Sequence, residues 1–135
     1  MAKNKTTGSL DTNTLLRLLL GDVPKQAQSV ELLIEQSDQL EVSDAVIIEM
    51  VFVLEKVYYL ERSMIVTNIH SILSNPKMNC NRGMFKHVLD LYEAESKLSI
   101  VDCAVLQYAR VHKSTPLYSF DKALVKKSRG DCVTP

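Results

Sequence analysis

Leu117-Tyr118-Ser119-Phe120-Asp121 is followed by a helical stretch over about 122 to 128 and then by the short run Cys132-Val133-Thr134. This reads as a strand that ends in an acidic residue, a helix and a second strand. Strands that alternate with helices favour a parallel sheet, because parallel neighbours need a crossover between them. Asp121 then stands at a strand end just before a helix, the edge of an open parallel sheet where ligand sites gather.

The same alternation extends toward the N-terminus. Residues 99 to 112 are predicted helical, as are 84 to 96, where Val88, Leu89, Leu91 and Tyr92 recur at helical spacing. Lys77 to Asn81 reads as a poor strand after a helix over 63 to 73 that ends near Asn75-Pro76. The run from 45 to 60 is predicted as a long helix, capped by Ser43 or Asp44 and apolar nearly all round, hence central. Leu40-Glu41-Val42 is a short strand. Pro24 suits the first turn of a helix reaching about Ser37 with Val30, Leu33 and Ile34 inward, and a leucine-rich helix capped by Asn13 stops at Gly21. The expectation is one α/β domain over residues 1–135, with a parallel sheet covered by helices on both faces and a polar, frayed stretch at 1–9.

Composition narrows the partners. Sixteen basic and sixteen acidic side chains cancel in the 135 residues, so no global field draws the chain to nucleic acid or to anionic membrane, and an RNA substrate needs a local patch or a bridging metal. The start is polar and the most apolar stretch, 45 to 54, is broken by Glu49, which leads to the expectation of a soluble, cytoplasmic protein with no membrane association. Cys80, Cys103 and Cys132 have neither disulfide-framework nor zinc spacing.

Four carboxylates stand in or beside apolar segments: Asp11 after Leu10, Glu49 between Ile48 and Met50, Asp102 between Val101 and Cys103, and Asp121 after Phe120. Such groups are costly to bury unless paired, protonated or bound to a cation. The helical neighbours of Glu49 three and four residues away are Ala45, Val46, Phe52 and Val53; those of Asp102 are Leu98, Ser99, Val105 and Leu106. None offers a countercharge. Four acidic residues near the ends of elements suggest one cation site, and hard oxygen ligands suit Mg²⁺ or Mn²⁺ better than zinc.

The Leu-Asp-Thr-Asn start at 10–13, the Leu-Leu-Arg that follows, the Glu within an apolar helix, Val101-Asp102-Cys103-Ala104 and Tyr118-Ser119-Phe120-Asp121-Lys122 together resemble the PIN domain, in particular the VapC-type toxin ribonucleases. The resemblance covers about residue 10 to Pro135. It implies a three-layer α/β/α sandwich with a short parallel central sheet, and RNA cleavage by a water activated by Mg²⁺ or Mn²⁺. Asp11, Glu49, Asp102 and Asp121 match the family's catalytic, metal-holding quartet. Asn13 and Ser119 match residues that support it. A homodimer and inhibition by a VapB-type antitoxin are also implied. The family usually has an apolar strand before its first Asp; here Thr6-Thr7-Gly8-Ser9 precedes Leu10, so the first strand is expected to be short, frayed or altered.

Each residue also has a plainer role open to it. Asp11, Asn13 and Asp121 suit helix N-caps, Asp102 a solvated helix position, and Glu49 a distant ion pair. Lys122, Lys126, Lys127 and Arg129 are candidates for RNA phosphates or form a solvated helix face. Two further functions compete with a metal-dependent ribonuclease. One is a non-catalytic PIN-like module acting through a protein or RNA partner. The other is a phosphatase, against which Asp11-Thr12-Asn13 lacks a second Asp and no phosphate-cradling glycine loop is present.

Overall fold

The computed structural model describes residues 6–135; most of the predicted frayed start, residues 1–5, lies outside the described residues. Contacts gather the chain into two compact units, one ending at Asn81 and the other spanning Arg82–Pro135.

The first unit runs β1 (Thr6–Ser9), α1 (Thr12–Leu20), α2 (Pro24–Gln36), β2 (Ser37–Glu41), α3 (Asp44–Lys56), α4 (Arg62–Leu73) and β3 (Met78–Asn79). Its three strands are parallel in the order β1-β2-β3. The polar sequence before Asp11 does form a strand. Gly8 pairs with Leu40 and Ser9 with Glu41, and the ladder continues through the Leu10 N–H, which donates to the Glu41 carbonyl at 2.9 Å. Backbone hydrogen bonds and the buried flank of Leu10 hold β1 in place, so it needs no apolar run. Leu40, Val42 and Met78 fill the core beside it.

Local sequence explains the helix ends. Gly21 adopts φ +61° at the C-terminus of α1, a left-handed conformation that glycine takes without cost, and its N–H donates to the Arg17 carbonyl. Pro24 opens α2 at a position whose N–H has no helical acceptor. The far end of α2 is closed by Lys77, whose ammonium donates to the Ile34 and Glu35 carbonyls at 3.0 and 2.8 Å. Helix α3 departs from its predicted central position. Ile47, Met50, Val51 and Leu54 are buried, while Phe52 remains 51% exposed, so the helix packs by one face although its sequence is apolar on both.

The second unit runs α5 (Arg82–Ala94), α6 (Ile100–Val111), β4 (Leu117–Tyr118), α7 (Lys122–Lys127) and β5 (Cys132–Val133). Helices α5 and α6 pack through Phe85, Val88, Leu89 and Tyr92 on one side and Cys103, Ala104 and Leu106 on the other, all buried. Strands β4 and β5 are parallel and joined through α7, as the run from Leu117 to Thr134 predicts. The turn into β5 is tied by Ser128, whose buried hydroxyl accepts from the Cys132 N–H at 2.9 Å and donates to the Val125 carbonyl. Arg110 reaches across from α6 to Asp131 at 2.7 Å and to the Ser128 carbonyl at 2.8 Å. Seven helices and five short parallel strands among the described residues make a mixed α/β fold, in agreement with the predicted α/β/α class.

Candidate active site

Asp11 sits where β1 has ended and α1 begins. Its backbone is extended and its Oδ1 accepts from the Thr14 N–H at 2.8 Å, so Asp11, and not Asn13, caps the helix. Hydrogen bonds from the Thr14 side chain and then its backbone hold the Asp11 carboxyl below the ordinary aspartate value, against a smaller opposing effect of desolvation. Asn13 is exposed in the first turn. Glu49 lies in the second turn of α3 and is exposed; it takes part in no hydrogen bond or ion pair among the described residues. Its apolar flanks in sequence therefore do not desolvate it.

In the second unit both aspartates also start helices. Asp102 forms a capping box with Ser99: the Ser99 hydroxyl accepts from the Asp102 N–H, and the Asp102 carboxylate accepts from the Ser99 N–H, each at 3.0 Å. The partner that side-chain spacing did not offer Asp102 is thus a backbone donor on its own helix. Asp121 caps α7, its Oδ1 accepting from the Leu124 N–H at 2.9 Å, and its own N–H donates to the Ser119 hydroxyl at 3.0 Å. Ser119 therefore supports the chain beside this carboxylate.

One further residue connects the two. Cys132 is buried in β5, and burial first, then the negative charges of Asp121 and Asp102, push its thiol above the ordinary cysteine value. Both carboxylates therefore act on one buried point. Sequence spacing gives no hint of this, because α7 and a turn separate Cys132 from Asp121, and β4 and most of α6 further separate it from Asp102.

Among the described residues no group of three or more His, Cys, Asp or Glu side chains lies close enough to hold a metal ion. The donor chemistry of the four carboxylates nevertheless fits a hard divalent cation. A carboxylate offers about four acceptor positions, so one helix N–H leaves each aspartate with capacity to bind a cation.

The basic candidates divide. Lys122, Lys126 and Arg129 are exposed, Arg129 with φ +54° in the turn after α7. Lys127 pairs with Glu95 at 3.4 Å. Lys126 and Lys127 also occupy the last turn of α7, where a positive charge is favoured by the helix dipole. A residue with no assigned part in the sequence reading is Arg17, whose guanidinium is held by Asp22 at 3.0 Å and by the Tyr58 hydroxyl at 3.2 Å.

Residues 9–130 match the PIN domain family, and the chain belongs to it. Members of this family are typically nucleases and generally use divalent metals. The matched stretch runs through both compact units and contains all four acidic residues. No curated protein matches the chain. Among the described residues no helix is long and apolar enough to cross a membrane.

Proposed function

We propose that this protein is an endoribonuclease dependent on Mg²⁺ or Mn²⁺, of the VapC toxin type, in which Asp11, Glu49, Asp102 and Asp121 hold one or two metal ions. The observation that carries the reading is the match of residues 9–130 to a nuclease family through a stretch containing the whole acidic set. The metal, when bound, supplies Lewis acidity to the phosphodiester and activates water. The chain's own contribution is placement. Thr14 holds Asp11, Ser99 holds Asp102, and Leu124 holds Asp121, each through a backbone N–H that fixes one carboxylate oxygen. Ser119 supports the backbone beside Asp121, Asn13 adds a polar group in the turn after Asp11, and Lys122, Lys126, Lys127 and Arg129 receive RNA phosphates. A VapB-type antitoxin would inhibit by offering Arg or Lys to the acidic site. Exposed Phe52, Tyr58, Tyr59 and Met64 support a homodimer.

The test is cleavage of a mixed-sequence RNA by the purified protein with Mg²⁺, with Mn²⁺ and with EDTA. Cleavage is expected with either metal and not with EDTA; undiminished cleavage in EDTA overturns the metal mechanism. A second reading, a non-catalytic module that binds RNA or protein, is favoured by the structural work that Asp11, Asp102 and Asp121 all do at helix ends. It predicts RNA retention in a gel shift with no cleavage in either metal.

A further inference from the structure

Between α1 and α2 lies an open pocket of about 290 Å³, lined by Asn13, Thr14, Arg17, Gln26, Ser29 and Val30. It adjoins the proposed site directly, because Thr14, on its rim, is the residue whose N–H donates to the Asp11 carboxylate. We infer that this pocket receives one base of the RNA strand beside the phosphodiester that is cleaved, and that it sets a base preference; this rests on the ribonuclease reading above.

The lining favours a base over a phosphate. Its single cation, Arg17, is already paired with Asp22. The other polar groups are two carboxamides and two hydroxyls, which donate and accept and so suit the mixed edge of a nucleobase. Ser29 already donates its hydroxyl hydrogen to the Lys25 carbonyl at 2.9 Å, which leaves its oxygen as an acceptor for a ligand. Val30, buried, adds an apolar side chain to the lining.

Arg17 adds a platform. Asp22 and Tyr58 fix its guanidinium from two sides, and a fixed planar guanidinium stacks on bases at little entropic cost. Its Nε is a buried donor with no acceptor, the one such side-chain atom among the described residues. That buried Nε keeps the side chain's inner end out of solvent, so the part of Arg17 offered to a base is the outer face of its guanidinium. The volume also sets a limit. Pockets for drug-sized ligands start at roughly 300 Å³, so this one suits a single base with part of its ribose.

The probe is each of the four nucleoside 5′-monophosphates, and inorganic phosphate, added in EDTA to isotope-labelled full-length protein and followed by amide chemical shifts. One nucleotide is expected to move the amides of residues 13–17 and 26–30 more than the other three, and phosphate alone to leave them in place. Gln26→Ala and Ser29→Ala, both at exposed helical positions, should melt like the parent and bind that nucleotide about fivefold more weakly, the loss of one hydrogen bond. The inference is overturned if no nucleotide moves these amides, if phosphate moves them equally, or if both variants bind as the parent does. Failure of the two readings can be told apart, since binding in EDTA needs no turnover. Nucleotide binding without RNA cleavage removes the ribonuclease reading alone, and cleavage without binding removes the pocket alone.

Discussion

The two units treat their acidic residues differently. In the second unit Asp102 and Asp121 each satisfy a helix N-terminus, and the charge of both falls on the Cys132 thiol. In the first unit Asp11 does the same capping work, but Glu49 is exposed within α3 and holds nothing in place. Three of the four carboxylates thus have a structural reason to exist. Glu49 does not, so it is the residue on which fold and function separate most cleanly.

The largest expected effect follows from that separation. Glu49→Gln keeps the length and polarity of the side chain and removes its charge. It should lower metal-dependent RNA cleavage by at least ~100-fold while the melting temperature shifts by no more than about 1 °C, as for an exposed side chain without partners. Parallel measurement of cleavage rate and thermal melting decides it. Full activity in Glu49→Gln would remove this residue from the site and leave the other three as helix caps.

The second effect concerns stability and sharpens the contrast with the capping aspartates. Asp121→Ala removes the acceptor for the Leu124 N–H and should cost about 0.5–2 kcal/mol in denaturant unfolding. Asp121→Asn retains a capping oxygen, so it should stay within about 0.5 kcal/mol of the parent and still lose cleavage. If both variants unfold like the parent, the cap contributes nothing and Asp121 has no structural role. If Asp121→Asn cleaves normally, its charge has no catalytic one.

These tests also mark what could be read from the sequence. The order of helices and strands was legible because caps and breakers are local: Gly21, Pro24 and Ser43 act within one turn of themselves. The strand β1 was harder to see, since Thr7, Gly8 and Ser9 carry no apolar signal and are held by ladder bonds to residues about 30 positions away. Burial was misread at Glu49 and Phe52 for a related reason. An apolar run predicts that some face is buried, but only packing decides which, and α3 turned both outward. At Asp102 the helical neighbours offer no side-chain partner, and the partner is the backbone N–H of Ser99. That the charges of Asp121 and Asp102 are felt at the Cys132 thiol depends on the crossover that sets β5 beside β4, which spacing alone cannot place.

The smallest effect tests that proximity. Burial is the main reason the Cys132 thiol is raised, with Asp121 next and Asp102 after it. Asp102→Asn and Asp121→Asn should therefore each lower the thiol value, Asp121→Asn by more, and neither should return it to that of a free cysteine near 8.5. The sign for stability follows from proton binding. A thiol raised by folding holds its proton while the unfolded chain loses its own, so this contribution is intact below about pH 8.5 and is lost as pH rises toward the folded value. The rate of alkylation against pH in a Cys80→Ser background, resolved by peptide mass spectrometry so that Cys132 is told apart from Cys103, reads the thiol. Unfolding midpoints at pH 7 and pH 9.5 read the linkage, and the parent should lose more stability over that interval than Asp121→Asn does. If neither substitution moves the alkylation profile, the two carboxylates do not share a neighbourhood at Cys132, and the two units differ less in the handling of their acidic residues than the fold suggests.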